Sequence, residues 1–114
     1  MAKHGVPPND WEEPGPQLPY ESSAAAVAGC GLLHLKKHMA SAEKAEAYDA
    51  YARNILSTLL TPEFLAINTP GWEGIPKHAI YHQRNQLGVD ESVMWGDYYF
   101  VAALDEILKE NGLT

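Results

Sequence analysis

The segment His78-Ala79-Ile80-Tyr81-His82-Gln83-Arg84-Asn85 crowds a phenol, an imidazole and a guanidinium into a short stretch. Arg84 can hold a carboxylate through two parallel N–H donors, and Tyr81 and His82 add a ring face and ring nitrogens, a set suited to gripping an acidic sugar. The plainer alternative is an ordinary solvated loop. Trp11 and Trp72 also fall in loop-like stretches, where an indole can stack on a pyranose ring or cover the edge of a core. Paired carboxylates are the chemical signature of glycoside hydrolysis, and the candidates are Asp10, Glu12, Glu13, Glu21, Asp90, Glu91 and Asp97. Their spacing sets no two of them across a sugar, so no residue is assigned as catalytic. Asp90 and Glu91 also fit the start of a helix. Asp97 lies among Trp95, Tyr98, Tyr99 and Phe100, where an ionised carboxylate needs partners, and a structural hydrogen-bonded role is expected of it.

Cys30, His34 and His38 recur at every fourth position and bring a metal site to mind. On a helix the first and last of them lie about 12 Å apart along the axis, too far to ligate one tetrahedral ion. Leu35 follows His34, so the HExxH pattern is absent as well. Neither a metal nor a cofactor is expected.

The elements that must position these residues are mainly helical. The first 21 residues hold five of the eight prolines, which rules out a helix there and predicts an irregular lead-in loop. From Ser22 to about Met39 a serine cap, an alanine-rich apolar run and the cations Lys36, Lys37 and His38 at the far end predict a first helix. Gly29 and Gly31 each cost that helix about 1 kcal/mol relative to alanine, a cost expected where two backbones approach closely. Ser41 caps a second helix to about Leu60, with Tyr48, Tyr51, Ala52, Ile55, Leu56 and Leu59 on one stripe. Residues 62 to 89 read as a long irregular loop, with Ile75 to Tyr81 as a candidate short strand. Asp90 is expected to cap a third helix running from 91 to about 110, closed by Asn111-Gly112 and apolar on most faces near its start.

The chain has 114 residues, 46% of them hydrophobic, enough for one domain or one piece of a larger one. Its 15 acidic and 8 basic residues give a formal charge of -7, a field that repels phosphate backbones and anionic headgroups. Nucleic-acid and membrane partners are therefore not expected. No run approaches the ~20 apolar residues of a membrane span, and the first residues lack the apolar core of a signal peptide. With Cys30 as the single cysteine, an internal disulfide is excluded, and a cytoplasmic protein is the expectation.

Two stretches resemble the unsaturated glucuronyl hydrolases of glycoside hydrolase family 88: YESSAAAVAGCGLLHL at 20 to 35 and YHQRNQLGVDESVMWGDYYFVAAL at 81 to 104. The second is the more specific, with Gly-Val-Asp-Glu-Ser followed closely by Trp-Gly-Asp-Tyr-Tyr-Phe. The resemblance spans about residues 5 to 110 and implies an all-α fold, a partial (α/α)6 toroid of three long helices with long irregular loops, residues 22–114 supplying its C-terminal helices. It also implies an activity. The family releases 4,5-unsaturated glucuronic acid from lyase-generated oligosaccharides: an aspartic acid protonates the C4=C5 double bond, water adds at C5, and the hemiketal collapses. The family's catalytic aspartates lie upstream of the matched stretches. This segment alone is thus expected to be inactive, with Tyr81, His82, Arg84 and Trp11 as its substrate-binding residues, and exposed apolar surface is expected to favour self-association. Where some members carry Ser-x-x-Ser-x-Lys for sulfate, this chain reads His82-Gln83-Arg84-Asn85-Gln86-Leu87, so a preference for sulfated substrates is not implied. The alternative is a non-catalytic helical module that binds carbohydrate or another protein.

Overall fold

The computed structural model describes residues 5–8, 21–82 and 87–113, with backbone alone for 81, 82 and 87–89. Three helices dominate: α1 (Ser22–Leu35), α2 (Ala42–Leu59) and α3 (Met94–Glu110). Between α2 and α3 lies an antiparallel hairpin of β1 (Ala79–His82) and β2 (Leu87–Glu91).

Helix α1 is the middle layer. It packs against α2 on one side and α3 on the other, and those two scarcely touch each other. Its composition suits that position: Ala25, Ala26, Cys30 and Leu33 are buried, and small residues let neighbouring helices come close. At Gly29 an added Cβ would already be in van der Waals contact with Leu56 and Ile55, as expected of a close helix approach. Gly31 departs from that expectation, because a Cβ there would meet nothing within 4 Å. From α2 the predicted stripe contributes Ala52, Ile55, Leu56 and Leu59 to the core, and Phe64, Phe100 and Ala103 complete it. Val6 is fully buried in this core, and the Pro7 carbonyl accepts from Glu21 N at 2.9 Å, so residues 5–8 are tied to the helices.

The caps differ in detail from those expected. Ser41 caps α2 as predicted, accepting from Lys44 N at 3.3 Å. For α1 the cap is Glu21, whose Oε1 accepts from Ser23 N at 3.1 Å; Ser22 and Ser23 fall inside the helix and are buried. The serine hydroxyl is needed elsewhere, since Ser23 Oγ donates to Glu21 Oε1 at 2.7 Å and accepts from Trp95 Nε1 at 3.0 Å. Helix α3 begins at Met94 behind Val93, with no side-chain cap, because residues 87–91 pair as a strand and Asp90 is used there. It ends on Asn111, followed by Gly112 at φ 70°, as predicted. Its early turns are not enclosed: Gly96 and Phe100 are buried, but Met94, Tyr98 and Val101 are exposed.

One ionic cluster joins the ends of α1 and α3 to the middle of α2. Lys36, just beyond α1, reaches Asp49 of α2 at 2.5 Å and Glu110 of α3 at 2.9 Å, and Arg53 adds a 2.9 Å bond to Asp49. Burial alone pulls the Lys36 ammonium down, but its hydrogen bonds and charge interactions with Asp49 and Glu110 together hold it above its ordinary value. Lys36 correspondingly holds the Asp49 carboxyl below the usual carboxylate range, with a further contribution from Arg53.

Candidate functional site

The loop after α2 folds back on itself before entering the hairpin. Ala66 N bonds Ile75 O at 3.0 Å, Lys77 N bonds Phe64 O at 2.6 Å, and Leu65 pairs with Pro76, so the stretch expected to be irregular has a fixed course. Gly74 is required within it. Its φ is 98°, and a Cβ there would stand 2.3 Å from Ser92 Cβ.

At the base of the hairpin the chain is held by side chains in and around its two strands. His78 Nδ1 pairs with Asp90 Oδ1, and the His78 ring sits edge-on to Phe64 at 5.7 Å and to Trp72 at 6.1 Å. Trp72 Nε1 donates to Ser92 Oγ at 2.8 Å, which in turn donates to the Pro76 carbonyl at 2.5 Å. Asp97 Oδ1 accepts from Ile75 N at 3.1 Å, the structural hydrogen-bonded role expected of it. Glu21 reaches the same region from the other side, its Oε1 accepting from Ile80 N at 3.3 Å.

These residues border an open cleft of about 570 Å³ lined by Gly71, Trp72, Glu73, Asp90, Glu91 and Ser92. An indole beside a hydroxyl and three carboxylates can meet the apolar and hydroxyl faces of a neutral sugar, but the carboxylates oppose an anionic one. A second hollow of about 620 Å³ lies between α1 and α2 and is almost wholly apolar, formed by Ala28, Gly31, Leu32, Leu35, Tyr48, Tyr51 and Ile55. Tyr51, a member of the predicted α2 stripe, is 44% exposed there and, with Leu35 of α1 at 45%, lines an open groove instead of a core.

Of the residues singled out as substrate-binding, Tyr81 and His82 belong to the backbone of β1, with His82 opposite Leu87. Trp11 and Arg84 lie outside the described residues. The Cys30, His34 and His38 series is split, Cys30 facing the core and both histidines exposed. Burial pushes the Cys30 thiol up. Sequence reasoning missed the His78–Asp90 pair and the Trp72–Ser92 bond. The signals available were weak: Leu87-Gly88-Val89 alternates only briefly, and nothing local marks His78.

No protein-family model matches the chain. By sequence it is similar to the unsaturated chondroitin disaccharide hydrolase of Streptococcus pneumoniae, 32% identical over 95 residues that are 79% of this chain and 23% of that protein. By structure it superposes on the unsaturated glucuronyl hydrolase of Bacillus sp. GL1, described as responsible for glycosaminoglycan degradation, with a TM-score of 0.82 and 28% identity over 99% of this chain and 30% of that one. A mutant of the Streptococcus agalactiae unsaturated glucuronyl hydrolase, complexed with dGlcA-GalNAc6S, gives a TM-score of 0.75 at 28% identity over 84% of this chain and 26% of that one. The middle helix and the two that flank it are thus part of an (α/α)6 toroid, the fold of these neighbours. The chain resembles the unsaturated glucuronyl hydrolases and spans about a quarter to a third of the length of the curated relatives it matches, 23% and 32% of two of them. The sequence resemblance had pointed to their C-terminal portion.

Proposed function

We propose that residues 22–114 are the C-terminal helices of a glycoside hydrolase family 88 toroid and that residues 1–21 are its lead-in loop. In this reading the chain supplies wall and substrate contacts to an enzyme that removes 4,5-unsaturated glucuronic acid from lyase-generated oligosaccharides. The single observation that carries it is the superposition of 99% of the chain on 30% of a glucuronyl hydrolase at 28% identity. His82 and Arg84 stand two positions apart in the sequence, a basic pair suited to a uronate, whereas the Trp72 cleft is acidic and suits the uncharged part of an oligosaccharide.

The proton donor for the double bond lies in a part of the fold that this chain does not match, so the 114 residues alone are inactive. General acid–base groups contribute about 10²- to 10⁴-fold in rate, and an incomplete ring also fails to position the sugar. Self-association through the α1–α2 groove belongs to the same reading, as does a cytoplasmic location, supported by a lone buried cysteine. No helix among the described residues is long and apolar enough to cross a membrane.

The test follows the ultraviolet absorbance of the conjugated double bond when purified chain is mixed with a 4,5-unsaturated glucuronyl disaccharide. The expected result is no decay together with measurable binding. A decay proportional to protein, abolished by Asp97→Asn or Asp90→Asn, would make the chain a small hydrolase in its own right. Binding without decay that survives loss of both His82 and Arg84 would favour a non-catalytic carbohydrate module.

A further inference from the structure

Asp90 and Glu91 are consecutive in β2, yet both line the cleft beside Trp72, as does Ser92 after them. Successive residues of a regular strand point to opposite faces, so an unbroken β2 would turn one of the two carboxylates away. A bulge brings them to the same side. Ala79 pairs with Glu91 but Ile80 pairs with Val89, which leaves Asp90 as an extra residue with a left-handed backbone at φ 57°. Its partner His78, joined to it through Nδ1 and Oδ1, is left-handed as well, at φ 65°. Such conformations in non-glycine residues persist only where the surroundings impose them, and they gather where a side chain is re-aimed for use.

The other wall, residues 71–73, is tied to this one. Trp72 Nε1 donates to Ser92 Oγ, Ser92 Oγ donates to the Pro76 carbonyl, and Gly74 lies so near Ser92 that no Cβ fits between them. The cleft is therefore preformed, and a ligand entering it is spared the cost of ordering its walls. Together the walls present an indole, a hydroxyl and three carboxylates. His78 engages Asp90, whereas Glu73 and Glu91 are exposed and have no ion-pair partner among the described residues. Lys77 approaches the Trp72 ring at 6.0 Å, but its ammonium is held by Thr69 Oγ1 at 2.9 Å.

Unpaired carboxylates beside an indole attract a cation, through charge and through the face of the ring, and repel an anion. We propose that the Trp72 cleft selects its sugar by charge: it takes an amino sugar with a free ammonium ahead of the N-acetylated sugar and disfavours the sulfated one, with Glu73 and Glu91 as the specificity-determining residues. That a saccharide occupies the cleft at all rests on the function proposed above.

The experiment titrates the full chain with three disaccharides and follows the Trp72 indole N–H by NMR. All three begin with a 4,5-unsaturated glucuronyl residue and differ in the hexosamine that follows it: a free amine, its N-acetylated form, and the N-acetylated form carrying a 6-sulfate. The expected order of affinity is free amine, then N-acetyl, then sulfate, with each step roughly two- to fivefold, as for exposed charge pairs. High salt should narrow the steps. The double change Glu73→Gln and Glu91→Gln keeps the shape of two exposed side chains and removes their charge, so it should bring the three affinities together while leaving that of the N-acetylated disaccharide little changed. Equal affinities in the unaltered chain, an order that survives the double change, or binding that leaves the Trp72 signal unmoved would each overturn the selection and leave the proposed function standing. If none of the three disaccharides binds, the proposed function fails and the selection fails with it.

Discussion

Trp95 Nε1 of α3 donates a 3.0 Å hydrogen bond to Ser23 Oγ of α1, across 72 positions of sequence. The next residue, Gly96, makes that approach feasible, for a Cβ there would stand 3.0 Å from Ser23 Cβ and 3.3 Å from Ser23 Cα. Helix propensity alone makes Gly96→Ala stabilising by about 1 kcal/mol. Because a backbone atom is among the obstructing neighbours, the expected outcome is the opposite, a loss of about 1–3 kcal/mol by urea denaturation. Increased stability would show that α1 and α3 are not in such close contact.

The Lys36 cluster sets a pH window. Asp49 has its folded value below the 3.8 of a free carboxyl, so its contribution is fully present above that pH and is lost as pH falls through the folded value. Lys36 lies above 10.5 when folded, and its contribution is present below that pH and lost as pH rises through the folded value. With side chains 15% and 27% exposed, the pair is worth about 1 kcal/mol. Lys36→Met should therefore lower stability by about that amount at neutral pH and flatten the acid limb of the stability profile. An unchanged acid limb would place the acid sensitivity elsewhere.

Arg84→Ala, grafted into a complete homologous hydrolase, should raise KM for an unsaturated disaccharide by roughly tenfold while changing kcat less, as expected when a bidentate contact that serves binding is removed. A change confined to kcat would assign the guanidinium to the chemistry instead.

The groove between α1 and α2 should drive association of the isolated chain. Sedimentation velocity over a range of concentrations should show oligomers, and Tyr51→Glu, placing a charge on a residue 44% exposed, should return the chain to monomer without unfolding it. A monomer at every concentration would count against the groove as a contact surface.

How much of this was legible without the structure depends on how local each determinant is. The helices were legible because their causes lie within a few residues: Ser41 caps α2 three residues before Lys44 N, and Ile55, Leu56 and Leu59 repeat at the helical period. The end of α3 at Asn111-Gly112 was legible for the same reason. The helical cap at Asp90 was not, since a residue well suited to start a helix was taken by the strand pairing Ala79 with Glu91. Likewise Ser22 and Ser23 look like caps, but Glu21 makes contacts with Ser23 and Ile80 that combine into a better one.

Sequence by itself determined the number of long helices among the described residues, their order, the stripe of α2 that faces the core and the resemblance of the chain to the glucuronyl hydrolases, all carried by short-range patterns. Only the tertiary structure decided that the stretch after α2 closes into a hairpin, that Asp90 bulges from it, and that His78 and Asp90 hold left-handed backbones against each other. Those conformations are unfavourable for each residue alone, and it takes a partner twelve positions away to stabilise them.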